Sequence, residues 1–176
     1  MIGLLIALAV IAALIAAVAL AGSLLPSEHT AQASIDLTSS AERVWATVSD
    51  FAATTRWRAD VRAVEMTSAA DGTVRFVEST RQGSTTFEVV SRQAPHRQVV
   101  RIVDEGLPYG GTWTWDLRPV GGGTRLVVTE EGFIRNPVFR IIGRLFMRPS
   151  ASIEEYLREL AGGLGESSKP VTTRDR

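Results

Sequence analysis

The chain has 176 residues, with 19 basic and 19 acidic side chains and a formal net charge of zero. That balance lacks the basic surplus a nucleic-acid partner calls for, so none is expected. There is no cysteine, which excludes disulfides and thiolate metal sites. The two histidines, His29 and His96, stand far apart, so neither a metal nor a cofactor is expected.

Ile2 to Leu25 contains no charged residue and is rich in Leu, Ile, Val and Ala. At about 1.5 Å per residue a helix of this length covers the roughly 30 Å hydrocarbon core of a bilayer. Pro26-Ser27-Glu28 ends it. A cleaved signal peptide is the rival reading, because Ala19-Leu20-Ala21 fits a small-x-small site. No basic segment precedes the apolar run, however, and the run is longer than a signal h-region. Residues 1–26 therefore read as an uncleaved membrane anchor.

Glu28 to Ala33 reads as a short polar stem, and the alternation in Ala33 to Leu37 predicts a first strand. Ser39 as N-cap with Glu42 three residues on predicts a capping box and a short helix over 41–49, and Asp50-Phe51 restarts a second one ending near Trp57. Six strands follow, over 61–67, 73–80, 85–92, 97–104, 112–117 and 124–131. Asp71-Gly72, Gln82-Gly83, Ala94-Pro95-His96, Pro108-Gly110-Gly111 and Gly121-Gly122-Gly123 separate them. Strands so spaced, without intervening helices, predict an antiparallel meander.

Asn136-Pro137 opens a long amphipathic helix whose stripe includes Val138, Ile142, Phe146, Ile153, Leu157 and Leu164. Pro149 predicts a kink or a short break inside it, and Gly162-Gly163 begins its end. Residues 165–176 read as a frayed, disordered tail.

This order of elements, with Val44-Trp45, Asp50-Phe51, Trp57, Leu107 to Trp113, Gly123-Thr124-Arg125 and Glu130 to Arg140, resembles the START-like or SRPBCC superfamily, and within it the polyketide cyclase/dehydrase-type proteins. The resemblance covers roughly residues 31–164. It implies an α+β helix-grip fold, a curved antiparallel sheet wrapped around the C-terminal helix. It also implies a cavity between them for a lipid or other hydrophobic small molecule. The first Lys or Arg is Arg43, so the positive-inside rule has little to act on. The resemblance leans toward a cytoplasmic domain on a single-pass membrane protein.

Alternation puts Trp113, Trp115 and Leu117 on the helix side of one strand. It likewise turns Glu130 inward with Leu126 and Val128, and Glu78 inward with Phe76. An inward carboxylate is costly unless paired or wet. Arg101 is the cation available for it, although Val99 and Val103 on one face and Val100 and Ile102 on the other leave its direction ambiguous. Trp57, Phe87, Tyr109, Ile142 and Phe146 complete the candidate cavity lining, each also explicable as ordinary core. Arg135, Arg140, Arg144 and Arg148 form either a solvated face or a surface for anionic lipid head groups.

The sequence therefore reads first as a membrane-tethered binding or transport protein for a hydrophobic molecule. A cyclase/dehydrase-like enzyme using an inward carboxylate is the alternative, but no committed catalytic set is visible. A third reading is an interaction module whose aromatics fill the interior. A cavity below about 300 Å³ would favour that third reading.

Overall fold

The computed structural model describes residues 2–146 and 148–175, with Phe146, Arg174 and Asp175 described by their backbone alone. Helix α1 (Ile2–Ser23) stands clear of the rest, and of its side only Ala19 is partly covered and Gly22 buried. Among the described residues it is the one helix long and apolar enough to cross a membrane.

Strand β1 (Glu28–Leu37) starts directly after it. The expected polar stem is thus strand, because β7 supplies partners from Glu28 opposite Phe133 onward. Helix α2 (Ala41–Ser49) and a 3-10 turn (Phe51–Arg56) follow, then β2 (Ala63–Ser68), β3 (Val74–Ser79), β4 (Ser84–Gln93), β5 (Arg97–Ile102), β6 (Tyr109–Val120) and β7 (Gly123–Ile134). The eight-stranded sheet has the order β2-β3-β4-β5-β6-β7-β1-β8, and every pairing is antiparallel. Gly121 and Gly122 make the two-residue β6–β7 turn with φ of 50° and 88°, values that suit glycine and match the twist of the hairpin.

The N-cap lies one residue later than the expected capping box, and with Arg43 at the third helical position no box forms. Ser40, not Ser39, caps α2 by accepting from the Arg43 N–H at 3.4 Å. Ser39 is engaged elsewhere: its hydroxyl donates to Glu166 Oε1 at 2.6 Å.

The long C-terminal helix is two helices, α3 (Pro137–Phe146) and α4 (Pro149–Gly163). Pro149 sits at the first turn of α4, and Arg148 before it is extended at φ −100° and ψ 120°. Proline has no N–H to continue a helix and pushes its predecessor out of helical conformation, so of the expected kink or short break the structure has the break. Only α4 is gripped. Its stripe Ile153, Tyr156, Leu157, Leu160 and Ala161 is buried against the sheet, where Ala31 and Ala33 are small enough to let the helix approach β1 closely. Ile153, Leu157 and Leu160 are fully buried, so truncating any one to Ala costs about 3 kcal/mol. Helix α3 packs instead against the end of α1, with Gly22 against Pro137.

The tail is not frayed either. β8 (Val171–Asp175) pairs with Ala31–Ser34 of β1 and becomes the edge strand of the sheet on that side. Thr172 donates to Glu154, and Thr173 donates to the Gln32 carbonyl at 3.2 Å. The sequence signal was absent because these backbone bonds need no large apolar side chain.

Glu166 ties this tail to the β1–α2 corner, accepting from the Thr38 N–H at 2.7 Å and the Ser39 N–H at 3.0 Å as well as the Ser39 hydroxyl. Burial pushes its carboxyl up, but the hydrogen bonds from Ser39 and Thr38 outweigh this and hold it below its ordinary value. A lowered carboxylate adds stability above its unfolded pKa and loses it as pH falls through the folded one. Glu166→Gln should therefore lower unfolding stability by about 2 kcal/mol near neutral pH. The gap to the native protein should close in acid, as followed by denaturant titration at both pH values.

Candidate functional site

Between the sheet and α4 lies a cavity of about 240 Å³. Its apolar wall is Phe51, Phe76, Phe87, Val100, Trp113 and Trp115, with Tyr156 of α4 facing them. Phe51, Phe76 and Phe87 stack in sequence at centroid separations of 4.1 and 5.1 Å. Trp113 and Trp115 pack about Tyr156 at 5.5 and 6.0 Å. The alternation of β6 produces this wall: Trp113 and Trp115 point to the helix while Thr112 and Asp116 do not reach the cavity. Gly111 borders the cavity where a Cβ would lie 2.4 Å from the Glu131 carbonyl oxygen, so a glycine is required there.

One corner is charged. Arg58, in the loop after the 3-10 turn, donates through Nη1 to both oxygens of Glu78 at 3.0 and 3.2 Å. Its Nη2 donates to Asp60 at 2.7 Å, and Glu159 of α4 lies 3.9 Å from Nε. Burial works against the charge on Arg58, yet Glu78 and Asp60 prevail and hold its pKa above the ordinary value. Glu78 moves the same way for the opposite reason. Burial pushes its carboxyl up more than Arg58 draws it down. The phenol of Tyr156 is pushed up by burial, and its ring lies 5.8 Å from the Arg58 guanidinium carbon. The Trp115 Nε1 donor is buried without a hydrogen-bond partner of good geometry. The cavity thus offers an aromatic slot with a polar end that presents one cation, Arg58, and four carboxylates, Asp60, Glu78, Glu155 and Glu159.

Of the sequence candidates, Phe76, Glu78, Phe87, Trp113 and Trp115 meet at this cavity. Trp57 lies outside the cavity lining, edge-on to Tyr156 at 5.2 Å and pressed against Gly163. Arg101 points outward, because its neighbours Val100 and Ile102 take the cavity face, and it pairs with Glu88 at 2.6 Å alongside Arg75. Glu130 meets His29 Nε2 at 3.2 Å near the end of β7, outside the cavity lining. Tyr109 and Ile142 are 44% and 41% exposed and take no part in the lining, since Ile142 belongs to the helix that left the sheet. The Phe146 side chain lies outside the described residues. Arg58, Glu159 and Tyr156 were missed as site residues. Arg58 sits in a non-periodic loop where no alternation assigns a face, and the Arg58-x-Asp60 spacing was the available hint.

Removing Arg58 leaves Glu78 buried without its main partner, so Arg58→Met should destabilise the fold by about 2 kcal/mol, the low end for a partly shielded pair. Adding Glu78→Gln should recover part of that loss in urea unfolding.

Comparison with known proteins gives three further facts. A family model described as polyketide cyclase / dehydrase and lipid transport matches residues 28–162. No curated protein matches the sequence. Among solved structures, the Zhui aromatase/cyclase from Streptomyces sp. R1128 is similar with a TM-score of 0.64 and 13% identity, over 78% of this chain and 94% of that one. A START superfamily protein from Mycobacterium smegmatis is similar with a TM-score of 0.59 and 17% identity, over 78% and 97%. The di-domain ARO/CYC StfQ from the steffimycin biosynthetic pathway gives 0.62 and 14%, and this chain spans 50% of it. At such identities the likeness speaks to the fold alone.

Proposed function

We propose that this chain, which belongs to the polyketide cyclase/dehydrase and lipid transport family of the START-like SRPBCC superfamily, is a membrane-tethered carrier of a small hydrophobic molecule or lipid. The observation that carries this reading is the aromatic cavity with its polar corner at Arg58 and Glu78. Pockets that recognise small molecules have this make-up, an apolar wall with a few converging polar groups. At about 240 Å³ the space suits one ring system or a short acyl segment, with the polar end of the ligand at Arg58.

The tether supports delivery to or from a bilayer. Gly111 at the cavity pairs with Gly132, which pairs with His29, a few residues beyond the end of α1. The cavity therefore borders the end of the sheet from which the apolar helix departs. We place the domain on the cytoplasmic side, where anionic lipid would meet the exposed Arg144 and Arg148.

Two other readings keep a specific support. The cavity is smaller than the roughly 300 Å³ at which ligand pockets commonly begin, which favours an interaction module. Turnover of a cyclase-like kind would run through Glu78, whose raised carboxyl lies at the cavity, rather than Glu130 or Arg101.

Val100 is 3% exposed at the cavity wall, and Val100→Phe should fill it. Full-length protein in nanodiscs, titrated with a short-chain fatty acid or a naphthalene-class probe, should change its tryptophan emission, and the variant should lose that response while keeping its unfolding midpoint. An equal response from both proteins would sink the carrier reading and favour the interaction module.

A further inference from the structure

Helix α3 has a charge and apolar pattern that its packing does not use. Val138, Phe139, Ile142 and Leu145 are 37%, 47%, 41% and 68% exposed. At 100° per residue these positions span one arc, and Arg140 and Arg144 occupy the opposite one. From Arg135 to Arg148 there are four arginines and no carboxylate in the sequence, although the whole chain is neutral. Leaving four large apolar side chains of one helix in water is unfavourable, by roughly 25 cal/mol per Å² of apolar surface. An occupant of that face is therefore called for.

We infer that α3 is an interfacial helix, lying in the head-group layer of the bilayer that α1 crosses and resting its apolar arc on the acyl boundary. This rests on the reading of α1 as a membrane-crossing helix. The depth follows from contacts already described. The Gly22 backbone, one residue from the end of α1, is pressed against Pro137, so closely that a Cβ on Gly22 would lie 2.1 Å from the Pro137 carbonyl oxygen. The 22 residues of α1 cover about 33 Å, close to the roughly 30 Å of hydrocarbon, so its last turn and the start of α3 share the boundary level.

Orientation is held by two arginines. Arg140 donates to the carbonyls of Ile134, Leu25 and Arg135, binding the exit of α1 to the start of α3. Arg135 donates to the Glu105 and Leu107 carbonyls, binding α3 to the loop before β6. Arg144 and the largely exposed Arg148 remain for lipid phosphates, apart from a 3.3 Å contact of Arg148 with Glu154. An apolar arc with a basic flank is the composition of helices that lie in anionic membrane surfaces.

The chain contains no cysteine, so single cysteines carrying an environment-sensitive fluorophore report one site each. Full-length protein would be labelled at Leu145→Cys, Ile11→Cys or Val90→Cys and reconstituted in phosphatidylcholine vesicles containing phosphatidylglycerol. Lipids spin-labelled at shallow or deep positions serve as quenchers. The Leu145 probe should be blue-shifted and quenched by shallow labels, the Ile11 probe quenched by deep labels, and the Val90 probe unaffected. Arg144→Gln with Arg148→Gln should reduce shallow quenching at Leu145 on anionic vesicles. A water-like, unquenched Leu145 probe with a deeply quenched Ile11 probe overturns the interfacial helix and leaves the anchor intact. Shielding of Leu145 that fades on dilution of protein in lipid overturns it in favour of a second copy of this chain. An unquenched Ile11 probe overturns the anchor, and the interfacial helix with it.

Discussion

The domain depends on the seat that β1 and β7 provide for α4. Ala31 and Ala33 present almost no side chain, so Ile153, Leu157 and Leu160 drop into full burial against this side of the sheet. A curved sheet cannot meet a straight helix along its whole width. Where α4 is seated tightly on β1 and β7, the surface made by β3 to β6 curves away. The space left there is bridged by Tyr156 reaching toward Trp113 and Trp115, and the remainder is the cavity. Packing of the helix at one side and a hollow at the other are one geometric fact.

Charge follows the same division. On the outer face Glu88 binds Arg75 and Arg101, which are 39% and 54% exposed at their side chains. Water competes for the two guanidinium groups, while Glu88 between them is itself only 11% exposed at its side chain. On the inner side Glu78 and Arg58 are 12% and 19% exposed. There each charge is costly alone and the pair must remain together.

Pro149 divides the labour of the C-terminal segment. Had the helix run on unbroken from Pro137, its first half would have followed the axis set by α4. The missing N–H and the extended Arg148 release α3 to turn toward α1. One apolar stripe in the sequence thereby serves two surfaces, the sheet under α4 and the exposed arc of α3.

Much of the architecture is legible in the chain, because strand alternation, glycine turns and an N-cap are local signals that act over a few residues. The meander, α2, the inward turn of Trp113, Trp115 and Phe76, and the apolar α1 all follow from such signals. The errors lie where the deciding partner is distant. Ser39 was freed from capping by Glu166, and β8 formed because β1 had an unpaired edge. The interruption at Pro149 is legible in the chain, but which half leaves the sheet is not, since both halves carry equally good stripes. The site divides the same way. Its aromatic wall was set by the period-two pattern of the strands. Its charged corner was set by a loop arginine that no periodicity places, and by the turning of Arg101 outward once Val100 and Ile102 had taken the inner face. Local periodicity determines which residues share a face. Only the tertiary structure decides which face is covered and which distant charge it meets, because burial is a property of the assembled layers and not of the segment.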